Sequence, residues 1–500
     1  MLKLKQRGTS DKNCDIIMNG FIKKTIEDSC VFDNFIELKI DNEEKILELI
    51  SELEKDIVNE AATIKSDWAM PIVMEIIGKI YYGKFTKFQA YGNTFKRTVA
   101  YLWNAVFDAH GTRNAKRLVD MIYKCYILEG VCSYQKMFWA IDGFYFYFDK
   151  GKITIPKVFN ENLFEFGELI KGRGKRLRVA ECNTNLMLNN QQEYMRGLIS
   201  ILNGAKPNEI PLFKGTFFEN IPSVDNCESI KSFWQELFFR YSVFLMAAVQ
   251  TKQAEDVLIF HEFAIDGIPD LYLNQAVVEN IFWKREWFIK QSTERYSNLI
   301  VERPIMRINK NGDFATSAVL IGDSINKFIE KSIRETIKDK NDFFKQAISE
   351  PFEERCINLF RKLGFDAGHV TEKETWKTQT KNINMRIPNK KLPGEIDVLA
   401  YQHDKEHVFL IECKVLKDVE DTETYKSLVS KLKNDDEFKT KLLKKSQWLK
   451  ESFSVKFNKD VDPILIILTD IPLPVIGLNN SEVTYTNYLE LKKQLYDYYK

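Results

Sequence analysis

Between residues 44 and 68, apolar side chains recur at Ile46, Leu49, Ile50, Leu53 and Ile57, with acids and lysines between them. That spacing follows the 3.6-residue period and predicts a long helix with one buried stripe. Elsewhere the text is strand-like. Residues 144–155, FYFYFDKGKITI, place two β-prone runs around a turn at Asp149–Gly151. Residues 303–321, RPIMRINKNGDFATSAVLI, predict a second hairpin turning at Asn311–Gly312. Ser324 then stands as the N-cap of a helix carrying Ile325, Phe328, Ile329 and Ile333. The segments 85–140, 229–250 and 272–297 also predict helix, in part for the first and as buried aromatic-rich helices for the other two. Together these make residues 1–340 an α+β, mostly helical region of undefined fold, with room for two subdomains.

The polar stretch KDKND (338–342) is the expected boundary. Beyond it, over residues 345–500, the pattern predicts a helix (about 350–363), a strand (about 365–371), an irregular polar segment and a hairpin (395–414). A single long helix (about 423–452) and a closing strand (463–469) follow. The last strand, PILIILT, is a continuous apolar run, as a strand covered on both faces should be. The helix before it supplies the crossover that a parallel pair needs. The expected fold of this part is α/β, with a small mixed sheet flanked by helices.

At 500 residues the chain is too long for one core. A formal net charge of +1 gives no global attraction to nucleic acid, so any phosphate-binding surface must come from local clusters of Lys and Arg. The eight cysteines form no C-x-x-C pair, which points away from a zinc module or disulfide framework and toward a reducing, cytoplasmic setting. No apolar run approaches the roughly 18–20 residues that span a bilayer, so no membrane partner is expected. There is no phosphate-cradling G-x-x-x-x-G-K-[ST] loop, no G-x-G-x-x-G and no G-x-S-x-G. Any coupling to ATP would need a separate ATPase or sensor polypeptide.

The strongest chemical signal is GEIDVLAYQHDKEHVFLIECK (394–414). Alternate residues of a strand share a face. Glu412 and Lys414 therefore lie together with Cys413 turned away, and Glu395, Asp397 and Leu399 lie opposite Ile396 and Val398. Pairing the two runs brings Asp397 near Glu412. Two carboxylates at that separation repel, and a divalent cation removes the penalty. Hard oxygen donors suit Mg2+, with Mn2+ as its substitute, and the main-chain carbonyl of Cys413 is a further candidate ligand. The bland alternative is a salt-bridged sheet edge. An E-x-K triplet alone says little; EEK at 43–45 is another, on an exposed helix face.

This text, G-x-I-D-[VL]-[LI]-A followed by a hairpin and [LI]-x-E-C-K, resembles the PD-(D/E)XK nuclease superfamily, the restriction-endonuclease-like fold, over about residues 349–470. EPFEERCINLFRKLGFDAGHV (350–370) is similar to the first helix of its Mrr-like and Holliday-junction-resolvase-like branches. The resemblance implies a Mg2+-dependent endonuclease acting on DNA, with RNA or branched DNA, or an inactive nucleic-acid-binding sensor, as alternatives. It implies that Asp397, Glu412 and Lys414 are catalytic, and that a glutamate near the helix start joins them. Glu353 fits that place, with Glu354 as competitor and a helix-dipole role as the plainer reading. Gly394-Glu395-Ile396 stands where the motif's name has a proline, which leaves Glu395 as an accessory. Relatives place a polar residue on the following helix, and Gln447 is the candidate. A homodimer and a restriction or phage-defence role are expectations by analogy.

One further patch is KGRGKRLR (171–178), where Lys171, Arg173, Lys175, Arg176 and Arg178 could grip nucleic acid or could form a solvated turn. The FYFYF run reads as sheet packing rather than a base-stacking surface.

Overall fold

The predicted stripe forms the helix Glu43–Ala62, with all five of its named apolar residues buried, but it stops short of residue 68: Thr63 caps it and a second helix starts at Ser66. Asn42 caps it by accepting the Lys45 N–H at 3.0 Å. The structure, a computed structural model, describes residues 11–27, 32, 38–106, 111–163, 190–214, 217–224, 228–251, 253, 255–260, 272, 275–283, 288–332, 349–416, 422–434, 437–470 and 482–499. The stretches 171–178 and 338–342 lie outside them.

Around that helix pack Asp11–Glu27, Ser66–Tyr81, Gly92–Ala105 and Ala115–Gln135. The first predicted hairpin is present as Phe146–Asp149 and Lys152–Thr154, and Leu38–Ile40 adds a third strand. Its turn residues Lys150 and Gly151 both have positive φ (49° and 100°), as a two-residue hairpin turn requires. Phe144, Phe146 and Phe148 are buried, so the aromatic run is core.

The second hairpin pairs Met306–Arg307 with Phe314–Ser317. The helix after it begins earlier than the sequence predicts, at Ala318, and its cap is Ser317, which accepts the Leu320 N–H at 3.3 Å. Ser324 is buried inside that helix and donates its hydroxyl to the Ile321 carbonyl at 2.7 Å. The apolar run Ala318–Ile321 fits a helix stripe as well as a strand, and the hairpin placed immediately before it decides the matter.

In the C-terminal part α1 (Glu350–Arg361) leads into β1 (Asp366–Val370), β2 (Thr375–Lys377), β3 (Asn382–Asn384), β4 (Ile396–Gln402) and β5 (His407–Lys414). Then come α2 (Thr422–Val429), a π-helical turn over Ser430–Asn434, α3 (Glu437–Phe457), β6 (Ile464–Thr469), β7 (Thr484–Asn487) and α4 (Tyr488–Tyr499). The seven strands form one mixed sheet in the order β7-β6-β5-β4-β1-β2-β3. β5, β6 and β7 run parallel and the other pairs antiparallel. One face packs Val398, Ala400, Ile411, Cys413, Ile466 and Leu468 beneath α1 and α4. The other packs Leu399, Tyr401, Leu410 and Ile467 with Leu442, Leu449 and Phe453 of α3.

Three features depart from the predicted order. Where one helix is expected, the described residues hold Thr422–Val429, the π-helical turn Ser430–Asn434 and Glu437–Phe457, with 435–436 outside them. The segment read as irregular holds β2 and β3, three residues each, too short to show alternation. β7 and α4 extend the fold past the expected closing strand.

α2 is held from the N-terminal region. The Thr422 N–H donates to Glu294 Oε2 at 2.7 Å, and the Thr422 hydroxyl donates to Glu294 Oε1. Lys426 pairs with Glu43 and lies over the Trp139 ring at 4.4 Å.

Gly368 in β1 has no room for a side chain. A Cβ there would sit 1.7 Å from the Lys377 carbonyl oxygen. Gly368→Ala should therefore destabilise the chain by about 1–3 kcal/mol through overpacking, read from urea unfolding; an unchanged midpoint would show that β2 can simply move away.

Candidate active site

The β4–β5 hairpin fixes the site. Its register pairs Val398 with Ile411 through to Gln402 with His407; continued by one residue it sets Asp397 opposite Glu412 at the open end, and the Glu412 charge acts on Asp397. Between Ile396 and Leu399 the β4–β1 register slips by one residue. The slip revises the expected alternation: Ile396 packs in the Leu399 cluster, not with Val398. A bulge of this kind re-aims a side chain beside a ladder that otherwise continues. Gly394, two residues earlier, has φ +92°, and its added Cβ would meet Lys445 Cε at 3.8 Å. The glycine of GEID thus serves the backbone conformation.

Asp397 Oδ2 accepts the main-chain N–H of Cys413 at 2.8 Å. Glu412, 7% exposed, accepts Lys414 Nζ on Oε1 at 2.7 Å and Lys445 Nζ on Oε2. Lys414 also lies over the Phe438 ring at 5.5 Å. Past β6, the buried Asp470 accepts the Leu416 N–H on Oδ1 at 2.9 Å, and its own N–H donates to the Lys414 carbonyl at 3.3 Å. The chain leaving Lys414 is thereby tied down.

These neighbours set the charges. Burial, followed by the adjacent Glu412 charge, pushes Asp397 up to about 6 despite the two lysines and the Cys413 N–H. Burial pushes Glu412 up too, but Lys414 and Lys445 together overcome it and hold Glu412 below the usual range. Burial weakens the Lys414 ammonium and Glu412 more than restores it, so Lys414 stays charged.

The residues predicted from sequence fall into two groups. Asp397, Glu412 and Lys414 come together. Glu353 is half-buried on the first turn of α1, on the Cys413 side of the sheet, with Ile357 and Phe360 buried beneath it as the stripe predicts. The Cys413 thiol is pushed well up by its hydrogen bond with Cys356, by burial and by the charges of Asp397 and Glu353. Glu354 turns outward to Arg361 at 3.0 Å. Glu395 faces His369, with Oε1 3.7 Å from Nε2.

Gln447 is exposed, and the crossover-helix residue that reaches the site is Lys445, 5% exposed. A signal for it exists in the sequence. Lys445 and Ser446 share the stripe of Leu442, Leu449 and Phe453, where a solvated lysine does not belong. His369, beside the bulge, had no such signal. The basic run 171–178 lies outside the described residues.

Among the described residues no three His, Cys, Asp or Glu side chains gather into a metal-holding group. A cation here would rest on two carboxylates, main-chain oxygen, water and substrate phosphate, which is how magnesium is commonly held. The donor set fits that mode: Asp397 Oδ1 carries no hydrogen bond among the described residues and lies at the open end of the hairpin. Comparisons with protein families, with curated proteins and with solved structures give no match to this chain.

Two outcomes follow from the electrostatics. Because the folded-state value of Asp397 is raised, its contribution to stability is full below about pH 4 and is lost as pH rises through about 6. Asp397→Asn keeps an acceptor for Cys413 and should be more stable than the parent by about 1–3 kcal/mol at pH 8, a difference that fades toward pH 4. Parallel denaturant titrations at the two pH values measure it, and a less stable variant at pH 8 would refute the assigned charge balance. Lys445→Met should lower stability by about 1–3 kcal/mol by removing a charged hydrogen bond from Glu412, whereas Gln447→Ala should leave it within about 0.5 kcal/mol.

Proposed function

We propose that the chain is a divalent-cation-dependent nuclease of the PD-(D/E)XK class, with its catalytic unit in the C-terminal sheet and DNA as its substrate. The observation that carries this reading is the pair of facing carboxylates, Asp397 and Glu412, with a charged lysine from the same strand bound to one of them. A purely structural ion pair needs no second carboxylate, and Asp397 lies at some cost in charge.

In this reading Asp397, Glu412 and the Cys413 carbonyl would hold Mg2+, for which Mn2+ could substitute. When bound, the cation supplies an activated water and positive charge for the phosphorane-like transition state. Lys414, kept protonated by Glu412, orients the attacking water and the scissile phosphate. Lys445 fixes the Glu412 carboxylate so that its direction does not depend on substrate. Glu353, on the first turn of α1, and Glu395, beside His369, are the accessory acids of this reading. The N-terminal region supplies recognition or regulation. A restriction or phage-defence role remains an analogy.

One observation favours a second reading. Both Glu412 oxygens are bridged by ammonium groups, as in a closed salt-bridge network that serves an inactive nucleic-acid-binding protein. Calorimetric titration with manganese separates the two, since binding lost in Asp397→Ala supports the nuclease.

The direct test is cleavage of supercoiled plasmid with magnesium, with single-stranded RNA and a four-way junction as competing substrates. Asp397→Ala and Lys414→Ala should each reduce cleavage by about 100-fold or more, and activity surviving both substitutions would sink the assignment.

A further inference from the structure

A groove of about 450 Å3 runs between α1 and α4, the two helices that cover one face of the C-terminal sheet. Each presents one helical face to it. Arg355, Asn358 and Lys362 line it from one side, and Tyr488, Lys492 and Tyr496 from the other. The two helices start side by side, with the Phe352 and Tyr488 rings 6.4 Å apart. That is also the end of the sheet where Lys414 lies. Lys414 pairs with Thr469 and Thr469 with Asn487, so Tyr488 follows a residue two strand spacings, about 10 Å, from Lys414. The groove therefore begins beside the carboxylate–lysine cluster and leads away from it.

Its charge is one-sided. Arg355, Lys362 and Lys492 are exposed, and none of the three side chains has an ion pair or a hydrogen bond among the described residues. Lys492 only overlies the Tyr496 ring, at 5.9 Å. The carboxylate on the described wall, Glu354, is taken up by Arg361 Nη1 at 3.0 Å, and Asn358 Oδ1 accepts the same group at 3.4 Å. The acceptors of this wall are thus engaged while its cations are not. On α3, by contrast, Lys439, Lys441 and Lys450 each meet a carboxylate. Like charges gathered in one groove repel, a cost that a bound anion removes.

The spacing says what kind of anion. Arg355 and Lys362 stand two helical turns apart, about 10 Å along the axis. A nucleic-acid strand carries a phosphate about every 3.4 Å of axis, so a row of about three fits that span. The net charge of +1 gives the chain no general pull on a polyanion, and a local cluster of this kind is what binding one requires.

We propose that the α1–α4 groove grips the phosphate backbone of a nucleic-acid strand beside the position of cleavage, with Arg355, Lys362 and Lys492 as its contacts. The identity of the polyanion rests on the nuclease reading; the groove is the surface that holds it.

The test titrates the full-length chain against a fluorescein-labelled DNA duplex in EDTA, read by anisotropy at several chloride concentrations, with plasmid cleavage in magnesium assayed alongside. The parent should bind with a steep salt dependence. Arg355→Gln/Lys362→Gln/Lys492→Gln should bind at least tenfold more weakly, with the salt slope reduced by about 2–3. Its cleavage should need more DNA to reach half the maximal rate, while the maximal rate holds. Lys362→Gln alone should lower the slope by about 1. Lys493→Gln, at an exposed α4 position outside the groove, should change neither quantity. No binding by the parent, a triple variant with the parent's affinity and slope, or an equal loss in Lys493→Gln would each overturn the proposal. Asp397→Ala separates it from the nuclease reading, since cleavage should vanish there and binding persist. A parent that never cleaves, with binding still lost in the triple variant, would end the nuclease reading and support the groove.

Discussion

Asp397 and Glu412 face one another across an antiparallel strand pair, a placement that is unfavourable for like charges. Most of what surrounds them can be read as the means of tolerating it. The Cys413 N–H takes one Asp397 oxygen, two lysines take the two oxygens of Glu412, and Asp470 fixes the chain that leaves Lys414. The lysines come from different directions, one from the same strand and one from α3, which covers that face of the sheet. The position of α3 is therefore a condition of the site, not only a cover for the core.

The arrangement divides the two acids. Glu412 is held below the usual range by its lysines, while burial and the Glu412 charge push Asp397 up to about 6. A pair of carboxylates pushed apart in this way is a common mark of chemistry at a buried edge. The same geometry also explains the glycine and the bulge. Gly394 turns the chain into β4, and the one-residue slip after Ile396 sets where the ladder resumes.

Much of this was legible from residues alone. Charges inside apolar runs located Asp397, Glu412 and Lys414, because strand alternation leaves few other ways to place them. The buried stripe of Glu43–Ala62 and both hairpins were legible for the same reason: each pattern repeats enough times to declare its period. What escaped had no repeat to show. β2 and β3 are three residues long, the β4 bulge breaks the alternation on which face assignment depends, and the true cap, Ser317, sits inside the run read as the end of the hairpin. Lys445 was hidden in another way. In a lysine-rich helix its charge looked like solvent-facing surface, and only its place on the stripe of Leu442 and Leu449 distinguishes it.

The contact between Glu294 and Thr422 gives the two parts of the chain a shared dependence. α2 lies only eight residues beyond Lys414, and its first-turn N–H finds its acceptor on the far side of the sequence, 128 positions away. A chain cut between residues 332 and 349 would retain every member of the carboxylate–lysine cluster, yet leave that helix end without its partner. The excised C-terminal part would keep the carboxylate–lysine cluster on a loosened anchor, so the behaviour of such a fragment would not stand for that of the intact chain.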